Sequence, residues 1–359
     1  MKVLSVVGAR PQFVKLAPVA TALRAAGHEH VIVHTGQHYD VAMSDVFFTD
    51  LGIPAPDTHL AVGSDTHGRQ TGAMLAAMDG VLEEHRPDWV LVYGDTNSTI
   101  AGALSAVKMH LPLAHLEAGL RSFNRRMPEE HNRVLTDHAA DLCLAPTEVA
   151  LGHLAAEGLA DVSVLVGDVM TDVLLTVRDA VAGTENVLPG GVDPAQRYYV
   201  ATLHRAENTD DPQRLRAIVD ELAGLDAPVV LLAHPRLRAR AAEQSLDLSR
   251  GAVVATDPLP YPALIRAAMD SAGVITDSGG LQKEAFLLRV PCTTVRTETE
   301  WTETVDLGWN VLAGGVSGLA EAVARPAPQA TDATPYGDGH AAERVATALE
   351  AAGRGRALA

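Results

Sequence analysis

The sequence predicts an α/β protein of two doubly wound domains, and three observations carry that expectation. Short apolar runs alternate with amphipathic helical patterns from end to end, the signature of parallel strands joined by crossover helices. At 359 residues the chain exceeds one typical core, so two domains of roughly 150–200 residues each are expected. The rhythm is interrupted most strongly near the middle, where residues 181–196 contain Pro189-Gly-Gly-Val-Asp-Pro194. That stretch reads as a linker between a first domain of residues 1–180 and a second of residues 197–340.

The first strand, residues 2–7, runs through Gly8-Ala-Arg10-Pro11 into a helical pattern of Phe13, Leu16, Ala17, Ala20 and Leu23. Arg10 and Lys15 flank a turn whose backbone N–H groups and helix dipole favour an anion. A dinucleotide fingerprint needs three glycines and only Gly8 is present, so neither NAD nor any other cofactor is expected. The second strand, 30–34, empties into Thr35-Gly-Gln-His38, which makes His38 either a ligand contact or a satisfied structural histidine. A helix through Phe47 and Phe48 is expected next, then an amphipathic helix over 68–85 with Met74, Met78 and Leu82 on its apolar face. Strand 88–93 ends in Gly94-Asp95-Thr96-Asn97-Ser98, small polar residues that cap a helix over 100–110. Asp95 is a cap or a catalyst on this reading.

The densest chemistry follows. An apolar run delivers Glu117 just past its end, and Arg121, Arg125, Arg126 and Arg133 then surround Glu129 and Glu130, with Pro128 opening a helix. Such a stretch is either a self-neutralising surface or a ligand site, and its place at a strand's carboxyl end favours the site. Strands over 141–145 and 162–166 complete the first half. In the second half, strand 197–203 ends at His204-Arg205, a helix starts at Pro212, and a strand covers 229–233. A helix over 261–269 and a strand over 273–276 then lead into Asp277-Ser278-Gly279-Gly280, which resembles a phosphate nest at a helix start. Glu284, one or two turns on, is placed to accept from ribose hydroxyls. An Ala-rich helix over 341–358 is left to pack back on either domain, and the first is the one to which it is assigned here.

With 28 Lys and Arg against 45 Asp and Glu, the formal charge of -17 argues against nucleic acid or an anionic membrane as partner. No apolar run approaches a membrane span, and the N-terminal strand is too short for a signal peptide, so a cytoplasmic protein is expected. Cys143 and Cys292 lie far apart among apolar neighbours without zinc spacing, which predicts buried, reduced thiols and no metal.

Taken together, Gly8-Ala-Arg-Pro-Gln-Phe-Val-Lys15, Gly36-Gln-His38, Tyr93-Gly-Asp-Thr-Asn-Ser98, His115-Leu-Glu-Ala-Gly-Leu-Arg121, Met127-Pro-Glu-Glu130, Asn132-Arg133, Thr202-Leu-His-Arg205 and Ser278-Gly-Gly280 to Glu284 closely resemble the non-hydrolysing UDP-N-acetylglucosamine 2-epimerases. The resemblance covers nearly the whole chain. It implies a GT-B fold of two Rossmann-like domains with an interdomain active-site cleft, a UDP-sugar substrate and a homodimer. It makes Asp95, Glu117 and Glu129 the acid/base carboxylates and sets His204 by the departing UDP. Arg10, Lys15, His38, Arg121, Arg133, Arg205, Ser278, Gly279, Gly280 and Glu284 are then the substrate and nucleotide contacts.

Chemistry agrees with that reading. The C2 hydrogen of an N-acetylhexosamine is not next to a carbonyl, and a ketone route would need NAD. Eliminating UDP across C1 and C2 avoids the problem, with 2-acetamidoglucal as the bound intermediate. Two departures from the family bear on substrate. Much of the family reads Thr-Glu-Arg-Pro-Glu where this chain has Thr299-Glu-Trp301-Thr-Glu303, so Trp301 replaces a basic nucleotide contact. That segment and residues 122–130 look more like a branch that includes UDP-2,3-diacetamido-2,3-dideoxyglucuronic acid 2-epimerases, whose extra carboxylate Arg121, Arg125 and Arg126 would pair. The lean is to UDP-N-acetylglucosamine. His131 stands where an apolar residue is expected. A GT-B glycosyltransferase is the competing class, but it needs one base where this chain brings three carboxylates; a hydrolysing epimerase and a non-catalytic sensor complete the alternatives.

Overall fold

The computed structural model describes residues 1–37 and 55–356; the helix expected through Phe47 and Phe48, all of His38, and the side chain of Arg10 lie outside the described residues. The chain divides into two compact units, Met1–Val173 with Thr334–Ala359, and Leu174–Ala333.

In the first unit, β1 (Lys2–Val7), α1 (Arg10–Ala25), β2 (Glu29–His34), β3 (Thr58–His59), α2 (His67–His85), β4 (Trp89–Tyr93) and α3 (Asn97–Lys108) come first. They are followed by β5 (Leu113–Leu116), α4 (Pro128–Ala139), β6 (Leu142–Ala145), α5 (Glu148–Ala156), β7 (Ser163–Leu165) and the start of α6 (Val169–Val181). The strands pair in parallel in the order β3-β2-β1-β4-β5-β6-β7. Helices cover both faces, which is why β4 reads Trp-Val-Leu-Val-Tyr with every residue buried rather than alternating. Strand order reverses between β1 and β4, so a crevice opens at their carboxyl ends, where Gly8 and Gly94 begin the loops. α3 begins three residues before the expected position 100. The Thr96 hydroxyl accepts from the Thr99 N–H, and this cap draws Asn97 and Ser98 into the first turn.

The second unit holds the remainder of α6, then β8 (Tyr199–Leu203), α7 (Ala206–Thr209), α8 (Pro212–Ala223), β9 (Val229–Ala233), α9 (Pro235–Glu243), β10 (Val253–Thr256) and α10 (Tyr261–Met269). Then come β11 (Gly273–Thr276), α11 (Gly279–Leu287), β12 (Cys292–Thr294), α12 (Thr302–Asp306), β13 (Asn310–Leu312) and α13 (Leu319–Val323). Its parallel sheet runs β10-β9-β8-β11-β12-β13, with the reversal between β8 and β11. The last helix, α14 (Ala341–Arg356), returns to the first unit, where Asp172 accepts the Ala341 and Ala342 N–H groups at 3.0 and 2.7 Å and so caps its start.

Residues 181–196, expected as a linker, are instead packed into the second unit. Leu188 joins a core with Tyr198, Val230 and Leu232, and the Asn186 amide donates to the Tyr198 hydroxyl at 2.9 Å and to Asp270 at 3.0 Å. The division between units falls between Val173 and Leu174, inside α6, where a continuous amphipathic helix conceals it from composition. Cys143 and Cys292 are both buried and free, and burial pushes each thiol up to about 12. Among the described residues, no helix is long and apolar enough to cross a membrane.

Candidate active site

In the first unit the loops after β1, β4 and β5 converge around one ion pair. Lys15, on α1, pairs with Glu117, and the two side chains are only 14% and 10% exposed. Burial on its own lowers the Lys15 ammonium, but the Glu117 carboxylate, with Asp95 and Asp168 adding to the field, outweighs it and raises Lys15 above its usual range. Lys15 thus faces carboxylates, not open solvent awaiting phosphate. Glu117 sits at φ 69°, left-handed backbone that an L-residue adopts only where its surroundings hold it. Gln12 ties the loops together: its Oε1 accepts from Gly8 and Ala9 N–H at 2.8 and 3.0 Å, and its Nε2 donates to the Tyr93 carbonyl and Thr99 hydroxyl at 2.8 and 3.1 Å.

α4 supplies the other wall. The Asp95 carboxylate accepts from Arg133 Nη2 at 2.6 Å, and its backbone carbonyl accepts from Asn132 Nδ2 at 2.8 Å. Arg133 also donates to Glu130 at 3.0 Å, so its charge is shared between two carboxylates rather than left for a ligand. Glu130 holds the preceding loop, accepting from the Ser122 N–H and hydroxyl at 2.8 Å each and from the Phe123 N–H at 2.9 Å. Burial pushes Glu130 up, but these donors and Arg133 outweigh it and hold the carboxyl below its ordinary value. Glu129, one residue earlier, is half-buried in the first turn of α4 and has no side-chain hydrogen bond among the described residues.

Arg121 departs from the sequence reading. Its side chain is 1% exposed; Nε and Nη2 form a fork on Glu157 at 2.8 and 2.7 Å, and Nη1 reaches Asp137 at 2.7 Å and the Leu120 carbonyl at 2.9 Å. The guanidinium is thus committed to protein acceptors rather than presented to a ligand. The structure also accounts for His131, whose Nε2 donates to the Arg125 carbonyl at 2.9 Å and pins the arginine-rich loop.

In the second unit, Asp277 organises the loop after β8. Fully buried, it accepts from the backbone N–H groups of His204 and Arg205, from Asn208 Nδ2 and from His204 Nδ1, all at 3.0–3.1 Å. His204 keeps a side chain 42% exposed and, among the described residues, a second ring nitrogen without a partner; the Arg205 guanidinium likewise has no partner there. Burial pushes Asp277 up, but His204 and Asn208 outweigh it and leave the carboxyl below its ordinary value. Its stabilisation is therefore complete above the unfolded pKa of about 3.9 and is lost as pH falls through the lower folded value. We expect Asp277→Asn to destabilise the second unit by roughly 3 kcal/mol at neutral pH. Denaturant unfolding at several pH values should show the gap to wild type closing in acid; a gap constant with pH would exclude a charged Asp277.

At the start of α11, the Ser278 N–H donates to the Thr276 hydroxyl at 2.9 Å, so only Gly279 and Gly280 of the expected nest keep first-turn N–H groups for an anion. Glu284 accepts from the Tyr261 hydroxyl at 2.9 Å. Trp301, which precedes α12, carries Lys283 Nζ over its ring at 4.4 Å from the centroid, so a cation remains beside the same helix.

A family model described as UDP-N-acetylglucosamine 2-epimerase matches residues 21–350. A Pseudomonas aeruginosa UDP-2,3-diacetamido-2,3-dideoxy-D-glucuronate 2-epimerase is 46% identical, over 97% of this chain and 99% of its own. The solved Methanocaldococcus jannaschii UDP-GlcNAc 2-epimerase, in complex with UDP-GlcNAc and UDP, is 38% identical and superposes with a TM-score of 0.82, covering 98% of this chain and 100% of that one. The Neisseria meningitidis UDP-GlcNAc 2-epimerase bound to UDP-GlcNAc gives 29% and 0.85 over 98% and 100%.

Proposed function

Because the chain belongs to the UDP-N-acetylglucosamine 2-epimerase family, whose members here are UDP-sugar isomerases of GT-B type, we propose that it interconverts UDP-N-acetylglucosamine and UDP-N-acetylmannosamine. One observation carries the reading: the Glu117 carboxylate held against Lys15 at the strand ends, with Asp95 beside them on Arg133. A carboxylate so placed is largely shielded from water and aimed from a strand end beside a fixed ammonium, a placement suited to a base for a weakly acidic C–H.

The proposed reaction is an elimination followed by its reverse on the other face. One carboxylate takes the C2 proton while the C1–O bond breaks, the C–H electron pair forms the C1=C2 bond of 2-acetamidoglucal, and UDP leaves with the C–O pair. His204, oriented through Nδ1 by Asp277, has its other nitrogen for the leaving diphosphate. Gly279 and Gly280 offer backbone N–H groups to the diphosphate, and Glu284, on the same helix, is assigned to the ribose. UDP then adds back to C1 as a second carboxylate delivers a proton to the opposite face of C2, which is why Asp95, Glu117 and Glu129 are all assigned to proton transfer. Incubating the protein with UDP-N-acetylglucosamine in D2O should place deuterium at C2 of product; a glycosyltransferase would leave C2 unlabelled.

A second substrate, UDP-2,3-diacetamido-2,3-dideoxyglucuronic acid, is supported by the 46% identical relative and by Arg125 and Arg126, both exposed and without an ion pair among the described residues. Either guanidinium could hold the sugar carboxylate. Side-by-side kinetics decide: we expect kcat/KM to favour UDP-N-acetylglucosamine, and a preference of about a hundredfold for the uronic acid would overturn that assignment.

A further inference from the structure

The side chains already assigned to proton transfer are exposed to a mechanical problem. Gly94, Glu117 and Gly119 have φ values of 62°, 69° and 82°, so the loops that present Asp95 and Glu117 are built on left-handed backbone, one residue of which is not glycine. Such loops hold a single conformation only where tertiary contacts over-determine them.

We propose that His115 and Asp137 are positioning residues for the C2 proton transfers, forming a buried strut that locks both loops without touching substrate. His115 lies in β5 and Asp137 on α4, and both are fully buried. His115 Nε2 is 2.7 Å from the carbonyl of Gly94, the residue before Asp95, and Nδ1 is 2.6 Å from Asp137 Oδ1. Asp137 Oδ2 in turn accepts the Gly119 N–H, two residues past Glu117, at 3.0 Å. A single pair of side chains therefore spans from one catalytic loop to the other. Both ring nitrogens are engaged, one on each side of the strut. The same helix grips Asp95 directly through Asn132 and Arg133, so displacement of Asp137 is transmitted to both carboxylates. Arg121, four residues past Glu117 in the same loop, braces Asp137, and Glu157 holds Arg121 with no hydrogen bond to Gly94, Asp95, Glu117 or Gly119 among the described residues.

This inference rests on the epimerase reading, and the experiment separates the two. Asp137→Asn keeps the shape but sets an amide where the carboxylate meets the Gly119 N–H and Arg121. His115→Asn keeps a donor near the Nδ1 position and abandons the Gly94 carbonyl. Glu157→Gln loosens the same network one step further out. We expect both strut variants to lose about 10- to 100-fold in kcat, with KM and UDP affinity within about twofold of wild type, because misplacement of about 1 Å at the reacting atoms has that effect. Glu157→Gln should lower Tm yet keep kcat within about twofold of wild type. If Asp137→Asn does not fold, His115→Asn decides. Should wild type fail to label C2 in D2O, the epimerase reading falls and the strut with it. Wild type that labels C2, with strut variants whose kcat is unchanged or falls only in step with Tm as in Glu157→Gln, would overturn the strut alone.

Discussion

Glu117→Gln lowers kcat by an expected 10²- to 10⁴-fold, and Asp95→Asn by a similar factor, while UDP still binds. The amides occupy nearly the same volume as the acids but carry no basic lone pair of the required strength, so the C2 proton has nowhere to go. Glu117→Gln also deprives Lys15 of its counter-charge in a site where both side chains are mostly enclosed. Removing one partner of such a pair is destabilising by up to about 3–5 kcal/mol, so a bare loss of activity would be ambiguous. The double variant Lys15→Met with Glu117→Gln removes both charges and should recover stability without recovering turnover. Deuterium at C2 is the decisive readout, since a variant that binds UDP and leaves C2 unlabelled has lost proton transfer and little else. Full activity in both single variants would end the elimination scheme for this protein.

Gly119→Ala is expected to destabilise the first unit by about 3 kcal/mol or more. A Cβ there would collide with the Ala150 carbonyl oxygen and lie 2.8 Å from its carbon and 2.9 Å from Leu154 Cγ, at a backbone φ of 82°. The obstacle is the backbone of α5, which has no rotamer to change, so loop or helix must shift. Gly27, at φ 75°, has open space where its Cβ would go, and its alanine variant should show only the conformational cost of about 1 kcal/mol. Equal losses at the two sites in denaturant unfolding would show that the loop after β5 yields freely.

What the sequence made legible was the alternation of strand and helix and the positions of the strand ends, because those depend on local apolar period and on caps such as Thr96. The two doubly wound sheets follow from that pattern. The partners of the site residues were a different matter. Lys15 and Glu117 are 102 positions apart, and nothing local to either reveals the other. Arg121 read as a ligand contact because its neighbours are charged, yet its partners are Asp137 and Glu157, 16 and 36 residues on. His115 headed the His115–Arg121 motif without a role of its own, and nothing in the sequence singled out Asp137, 22 residues on. Turn composition at 181–196 suggested a linker because glycine and proline mark bends, whether or not the bent segment is packed.

The return of α14 to the first unit sets an order for synthesis. Ala341, Val345 and Leu349 enter the same core as Phe13, Leu16 and Leu23 of α1, so that core is unfinished until residues 341–349 have left the ribosome. The second unit is contiguous, Leu174–Ala333, and has all its strands before that moment. At roughly 5–20 residues per second, the first sheet waits on the order of ten seconds or more after β7 for the helix that covers it. The unit that begins the chain is thus the later of the two to be completed, and through that interval its uncovered apolar stripe beside α1 is what a chaperone would meet.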